Sequence, residues 1–454
     1  MTKTENRQNA DVLTYINDAK KTVSVDKFYD GNRFKHDDFA SYLINEHNII
    51  LLDNRLYYHK DGFYQMLDFD TYRRLTTLII PSLTENKRRE AFYSMQGTAP
   101  EKSRSKAKYI GVKNGILDLE KHKLLDNTPD IIMTNQINAQ YDEDSDSEVL
   151  DNFLNEITNH KEEIRMLLEE FIGYTLWRDN FMQKAFFIVA EGANGKSTFF
   201  DLLYSFYGMN NTASLSFQDT QAQFKLSELV NKMISIGDDI SASYMQETEV
   251  FKKLVTGDRI SADVKHEKEI PFNNFAKLIY SSNELPQVKD TTHGLGRRLV
   301  IIPFEQTFSK EKGNLDLGLS QKLDNDVVRS NLLNIGLKGL KRIQQNKSFT
   351  EPKEVREAVE NYKVDNSVVI QFVEEVGTDM IVNEYRSQRE IGSEFRDWLD
   401  AEGLAKKSTK FLTKELERHY GITVERITRT SEVDERLPKG ESERIRAYIL
   451  NEHK

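Results

Sequence analysis

The sequence predicts an α/β protein: a phosphate-loop core with a parallel sheet flanked by helices, an α+β N-terminal region and a C-terminal region that is winged-helix-like. Three observations carry this. Between residue 184 and about residue 305, strand-sized apolar runs alternate with helical segments, the pattern of strands covered on both faces. One of those runs leads straight into EGANGKST, a glycine-bearing loop with a lysine and a hydroxyl side chain. After about residue 365 the pattern becomes helix, helix, strand, polar loop, strand.

At 454 residues the chain has room for roughly three domains of about 150 residues. The pattern divides it into residues 1–145, 146–345 and 346–454. It has no cysteine, which excludes disulfides, thiolate zinc sites and thiol catalysis, and suits a reducing cytoplasm. The polar N-terminus lacks the apolar core of a secretory signal. No apolar run reaches the ~18–20 residues of a membrane span, so a cytoplasmic protein with no membrane partner is expected. A net charge of −10 does not exclude nucleic acid, because polyanions respond to local patches. Bases gather at Lys102–Lys108, Val264–Lys268 and Lys406–Arg418, acids at Tyr141–Asp151.

In chain order, NIILLDNRLYYHKDGFYQM reads as short strands and YIGVKNGILDLEKHKLL as a hairpin with Asn114-Gly115 at its turn. The acidic stretch 141–148 reads as a linker. Apolar residues from Leu150 to Ile172 recur at helical spacing with a break near Asn159. AFFIVA, MISIGDDI, FAKLIYSSN and RRLVIIPF are the four clearest core strands. Asn346–Ser367 reads as either a linker or a helix. IGSEFRDWLDAEG and STKFLTKELERHYG read as helices, and ITVERITRT and SERIRAYIL as strands.

A phosphate loop joins a buried strand to a helix N-terminus, so that backbone N–H groups converge on phosphate oxygens. The usual spacing GxxxxGK[ST] puts a glycine where this chain has Ala190. Gly192 and Gly195 remain where the backbone must bend, with Ala193 and Asn194 beside them. Lys196 supplies a cation for the β- and γ-phosphates, Ser197 a Mg²⁺ ligand, and Thr198 continues the loop. GxxGK[ST] arises by chance in a chain this long about one time in a hundred, and its strand-to-helix context lowers that further. The expected substrate is ATP with Mg²⁺. Asp238 and Asp239 end the next clear apolar run; one can hold the metal shell and the other the attacking water. Asn283 ends a further strand, and Arg297 and Arg298 precede the last one, where an arginine can stabilise charge on a transferring phosphoryl group.

The series GANGKST, Asp-Asp, VKHEKEIPF, YSSN, GRRLVIIPF resembles the superfamily 3 helicases, the AAA+-like replicative helicases of small DNA viruses, phages and plasmids. YIGVKNGILDLEKHKLLDNTPDIIMTNQINAQYD is similar to the region before the ATPase in phage, plasmid and poxvirus primase-helicases. The resemblance covers residues from about 108 to 305. It implies a replication protein of a phage or phage-related mobile element, with Lys196 and Ser197 as the Walker A pair and Asp238 and Asp239 as Walker B. By the same resemblance, Asn283 is the sensor and Arg298 the arginine finger, with Arg297 in reserve. It implies that Lys265 and His266, with Lys268 in support, contact single-stranded DNA from a pore hairpin.

The resemblance implies a ring, a homo-hexamer, that hydrolyses ATP between subunits and unwinds forked DNA. A primase-helicase also carries a priming domain, but the first 145 residues show no convincing metal-carboxylate cluster, and Asp68–Asp70 reads as a surface turn. A separate primase is therefore the expected partner. Two other functions stay open: an origin-binding initiator that uses ATP as an assembly switch, and a DNA-independent remodelling or loading ATPase.

Overall fold

The computed structural model describes residues 24–450, apart from 223, 244, 246, 264–268, 289–292, 384–385, 405, 432–433 and 435. At its centre five strands form one sheet: β1 (Ala185–Val189), β2 (Thr212–Ala213), β3 (Ile234–Gly237), β4 (Lys277–Ser282) and β5 (Leu299–Pro303). They pair in the order β2-β3-β4-β1-β5, every pair parallel. A parallel sheet is covered on both faces, which is why its strands read as continuous apolar runs. Phe186, Ile188, Ile234, Ile236 and Ile279 enter one buried cluster. Ala185, Phe187, Leu278, Tyr280 and Ile301, alternating with them, enter the other. The four strands expected from sequence are present; β2 is too short to leave a periodic signal.

Four helices matter for the site: α1 (Glu148–Ile157), α2 (Glu162–Leu176), α3 (Lys196–Tyr207) and α4 (Asp326–Asn346). The break expected near Asn159 is there, with Asn159 and His160 both left-handed between α1 and α2. Helices α2 and α4 cross at glycines: a Cβ on Gly173 would lie 2.3 Å from Gly336 O, and one on Gly339 2.2 Å from Glu169 O. The acidic stretch is pinned rather than loose, since Asn331 and Asn334 on α4 donate to the backbone oxygens of Ser145 and Asp142. The ambiguous Asn346–Ser367 segment contains a helix, Lys353–Asp365, packed on β5. Tyr362 donates to Pro286 O at 2.7 Å and Asn366 accepts from Val288 N at 2.8 Å. These contacts tie it to the core rather than leaving it as a linker.

N-terminal to the core, Ile50–Leu52, Arg55–Lys60 and Phe63–Met66 form an antiparallel sheet. Its two-residue turns, Asp53-Asn54 and Asp61-Gly62, have positive φ throughout, as tight hairpins require. The next hairpin differs from expectation. Val112 pairs with Gly115, so the turn is Lys113-Asn114 and Gly115 opens the second strand. Asn114 is instead used to hold Tyr141, accepting from its N–H and donating to its carbonyl. A Cβ on Gly115 would lie 2.4 Å from Leu125 O, which explains the glycine. Asp68 is not a surface turn but the N-cap of the helix Phe69–Ile79, accepting from Thr71 N at 2.7 Å.

The C-terminal helices Gln388–Ala401 and Thr409–Tyr420 and the antiparallel strands Ile422–Thr430 and Ser442–Leu450 fall where the sequence puts them. Ser387 and Glu390 form a capping box, Ser408 caps the next helix, and Gly421 ends it left-handed. Phe372, Phe395, Leu412, Leu416, Ile422 and Tyr448 make its core.

Candidate functional site

Parallel strands deliver whatever follows them to one edge of the sheet. The loop 190–195 follows β1, Asp238 and Asp239 follow β3, and Asn283 follows β4, which lies between the other two. This is the carboxyl edge, where open α/β sheets bind ligands.

The loop's backbone is unusual residue by residue. Gly192, Ala193 and Gly195 all have positive φ, at 115°, 47° and 85°. At Gly195 space also excludes a side chain, because a Cβ would meet Ile157 Cγ2 at 2.7 Å. Ala190 needs no such freedom. It continues the strand, its N–H donating to Ser282 O at 3.2 Å, and its φ is not left-handed. A glycine at position 190 is dispensable because the turn begins two residues later.

Gly195 is the N-cap of α3, whose first N–H groups face the loop. Asn194 is buried, accepts weakly from Lys196 N at 3.3 Å, and has an Nδ2 with no acceptor among the described residues. A buried amide donor at a helix N-terminus fits a phosphate oxygen. Lys196 Nζ donates to Ala190 O at 3.0 Å and to Asn283 Oδ1 at 3.2 Å, joining the loop to the neighbouring strand end. Ser197 is exposed and Thr198 half-buried at the start of α3. A cleft of about 640 Å³ opens over the loop, walled by α1 through Phe153 and by Phe308, Leu315 and Leu319. Phe308 N donates to Ala193 O at 2.6 Å, fastening that wall to the loop.

On the other side, Asp238 and Asp239 are exposed, and Asp239 has φ 49°. Both are held by Ser281 of β4. Its Oγ donates to Asp238 Oδ1 at 2.5 Å and accepts from Asp239 N at 3.0 Å. The donor set, a hydroxyl and a carboxylate from adjoining segments, suits a divalent ion that arrives with phosphates. Among the described residues no three acidic or imidazole groups converge to hold one alone.

Arg297 and Arg298 lie at the opposite edge, before the start of β5. The sequence favoured Arg298, but that side chain is buried and its Nη1 donates to Gly294 O. Arg297 is the exposed one of the pair. Lys265, His266 and Lys268 lie outside the described residues. The strands that lead to them, Arg259–Ala262 and Ile270–Asn273, pair antiparallel as a hairpin.

Sequence reasoning missed Ser281 and the cleft wall. Ser281 had a signal, since a buried serine two residues before Asn283 interrupts an apolar strand. The wall at 308–319 had none, being irregular and remote in sequence. A further surface emerged in the C-terminal hairpin, where Arg426 pairs across from Arg446 with Arg444 beside it, all exposed.

The five-stranded parallel sheet with its loop and helix fits a P-loop-like core. Comparisons with known proteins narrow this. Residues 20–159 match a family described as "D5 N terminal like", and residues 188–298 match a family of unknown function, DUF5906. Over 212 residues, 44% of this chain, it is 30% identical to a protein of Acanthamoeba polyphaga mimivirus named "Putative helicase". The match spans 22% of that protein. The fold is also that of the apo A-form structure of the NrS-1 C-terminal region, with a TM-score of 0.51 and 14% identity over 91% of this chain and 98% of that one. Among the described residues no helix is long and apolar enough to cross a membrane.

Proposed function

We propose that the chain is an ATP-driven replicative DNA helicase of a virus, phage or related mobile element, working as a ring, a hexamer. The observation that carries this is the Lys196–Asn283 contact, which brings the phosphate loop and the end of β4 together beside the Ser281-held Asp238 and Asp239. The strand order, the helicase-designated viral relative and the D5-like N-terminal match favour an AAA+-like motor of superfamily 3 over a generic nucleotide-binding fold.

In this account ATP is the substrate. Gly192 to Gly195, with the Asn194 amide, cradle its phosphates, and Lys196 offsets charge on the transferring group. Ser197 and Asp238 would hold Mg²⁺, which supplies charge neutralisation at the β- and γ-oxygens when bound. Asp239 orients the attacking water and takes its proton, with Asn283 fixing the water's position. An arginine from the next subunit completes the site, and the exposed Arg297 is the one able to reach outward. Hydrolysis moves the hairpin that bears Lys265, His266 and Lys268 along one DNA strand. Positive charge is needed only in the channel, so an acidic chain can still grip a polyanion.

The test is DNA-stimulated ATP hydrolysis. Wild type should hydrolyse ATP faster with single-stranded DNA, and Lys196→Ala should lose at least about a hundredfold in kcat. Hydrolysis indifferent to DNA would leave the remodelling ATPase instead. The initiator has one specific observation in its favour. Like charges directly opposite on a hairpin are unfavourable, so Arg426 facing Arg446, on a hairpin that follows a helix bearing Lys410 and Lys414, suits a duplex-binding winged helix. Origin-specific duplex binding by the full chain, without unwinding, would support that reading.

A further inference from the structure

Away from the phosphate loop, a second cavity of about 440 Å³ opens between the N-terminal sheet and the base of the Arg259–Asn273 hairpin. Four guanidinium side chains line it: Arg55, Arg104, Arg178 and Arg259. Two carboxylates, Asp53 and Asp179, share the wall, and Asp53 is already engaged by Arg104. In a chain of net charge −10 this excess of cations is concentrated in one enclosed place.

Two of the guanidiniums, those of Arg104 and Arg178, are only partly satisfied by the protein. Arg178 donates through Nη2 to the carbonyls of Ser105 and Lys106, at 3.0 Å each. Arg104 also donates to Asn231 Oδ1. The Nε–H groups of both are buried with no acceptor among the described residues. A buried donor without a partner is costly, and two cations held near each other add repulsion. Burial, and then the nearby Arg104 charge, push the Arg178 guanidinium down to about 10. Folding alone does not account for this arrangement. An anion would satisfy the donors and the charge together, and guanidinium forks match phosphate oxygens best.

We propose that this cavity is a phosphate-binding site, taking either a phosphodiester of single-stranded DNA or the polyphosphate of a free nucleotide. The half-buried Phe272 in its wall offers a face for a base. The site lies at the root of the paired strands Arg259–Ala262 and Ile270–Asn273. A strand gripped by Lys265 and His266 has a second hold here. The DNA source rests on the motor reading above; the phosphate site itself does not.

The experiment uses the full chain with Arg55→Gln/Arg259→Gln, and the same pair in a Lys196→Ala background. Binding of a fluorescein-labelled oligo(dT) is followed by anisotropy across salt, and binding of a fluorescent ATP analogue is followed in the Lys196→Ala background. If a DNA strand is the source, the double variant weakens oligo(dT) binding about tenfold. The log–log salt slope then flattens by about 1.4, for two lost contacts at ~0.7 each. Arg55→Lys/Arg259→Lys restores the slope. If free nucleotide is the source, Lys196→Ala retains analogue binding that the added glutamines abolish. Wild type that binds no oligo(dT) overturns the motor reading and leaves the nucleotide arm to decide. Oligo(dT) affinity and slope equal to wild type, with no glutamine-sensitive analogue binding, overturns the proposal. Melting temperatures check the fold; should the double variant melt early, the exposed Arg259→Gln alone carries the same comparison.

Discussion

Replacing Gly339 by alanine tests whether the α2–α4 crossing sets the stability of the core. In an ordinary helix interior this change gains about 0.8–1.0 kcal/mol from backbone entropy. Here the added Cβ would lie 2.2 Å from Glu169 O, 2.4 Å from Glu169 C and 2.7 Å from Glu170 N. All three are backbone atoms of α2, so no side chain can swing aside. Ordinary contact requires the helices to part by roughly 1 Å, which forfeits a quarter to a half of the dispersion energy across the seam. Overpacking of this kind costs about 1–3 kcal/mol or more. The same displacement disturbs Glu170, a fully buried carboxylate that accepts from Thr350 N and Oγ1 at 2.7 Å each. The balance is a loss of about 2–4 kcal/mol, which lowers the melting temperature by about 5–15 °C. Gly97 is the control: it lies on the exposed face of the helix Glu85–Thr98, with nothing within 4 Å of a Cβ. Gly97→Ala should gain about 0.5 kcal/mol. Calorimetry of both variants decides; Gly339→Ala melting at or above wild type would refute the packing argument.

Other consequences follow from single contacts. Ser281→Ala removes the bond that aims Asp238, worth about 1.5–3 kcal/mol to a charged group; kcat for ATP should fall about 10–100-fold with little change in KM, measured by steady-state phosphate release. Lys277 is buried with Nζ donating to the carbonyls of Trp177, Asp179 and Phe275, so Lys277→Met, which leaves those acceptors without that donor, should cost about 3 kcal/mol of stability in urea unfolding. Arg297→Ala should lower kcat by about 10³ and recover part of its activity when mixed with Lys196→Ala subunits. Arg298→Ala should instead lower the melting temperature, since that side chain fastens Gly294.

Much of the core was legible because burial on both faces leaves long apolar runs, and because a phosphate loop is compact in sequence. Lys196, Asp238, Asp239 and Asn283 converge since parallel strands carry their ends to one edge. The C-terminal strands were legible to the residue, from β-prone runs bounded by Gly421 and the Pro438–Gly440 loop. What escaped depends on tertiary contact. β2 has two residues and no period. The turn at Lys113-Asn114 was misplaced because Gly115 answers to Leu125 O, not to turn geometry. Asn346–Ser367 was ambiguous until Tyr362 and Asn366 reached across to Pro286 and Val288. That Arg298, the residue nearer the apolar strand, is drawn into the interior while Arg297 stays exposed has no signal in the dipeptide itself.

The most direct measurement is ATP-driven unwinding of a forked DNA duplex by wild type, Lys196→Ala and Lys265→Ala/His266→Ala. The account predicts unwinding by wild type alone, with ATP hydrolysis lost in Lys196→Ala and retained in the hairpin variant. Wild type that hydrolyses ATP without separating the strands, or a hairpin variant that unwinds at the wild-type rate, would contradict it.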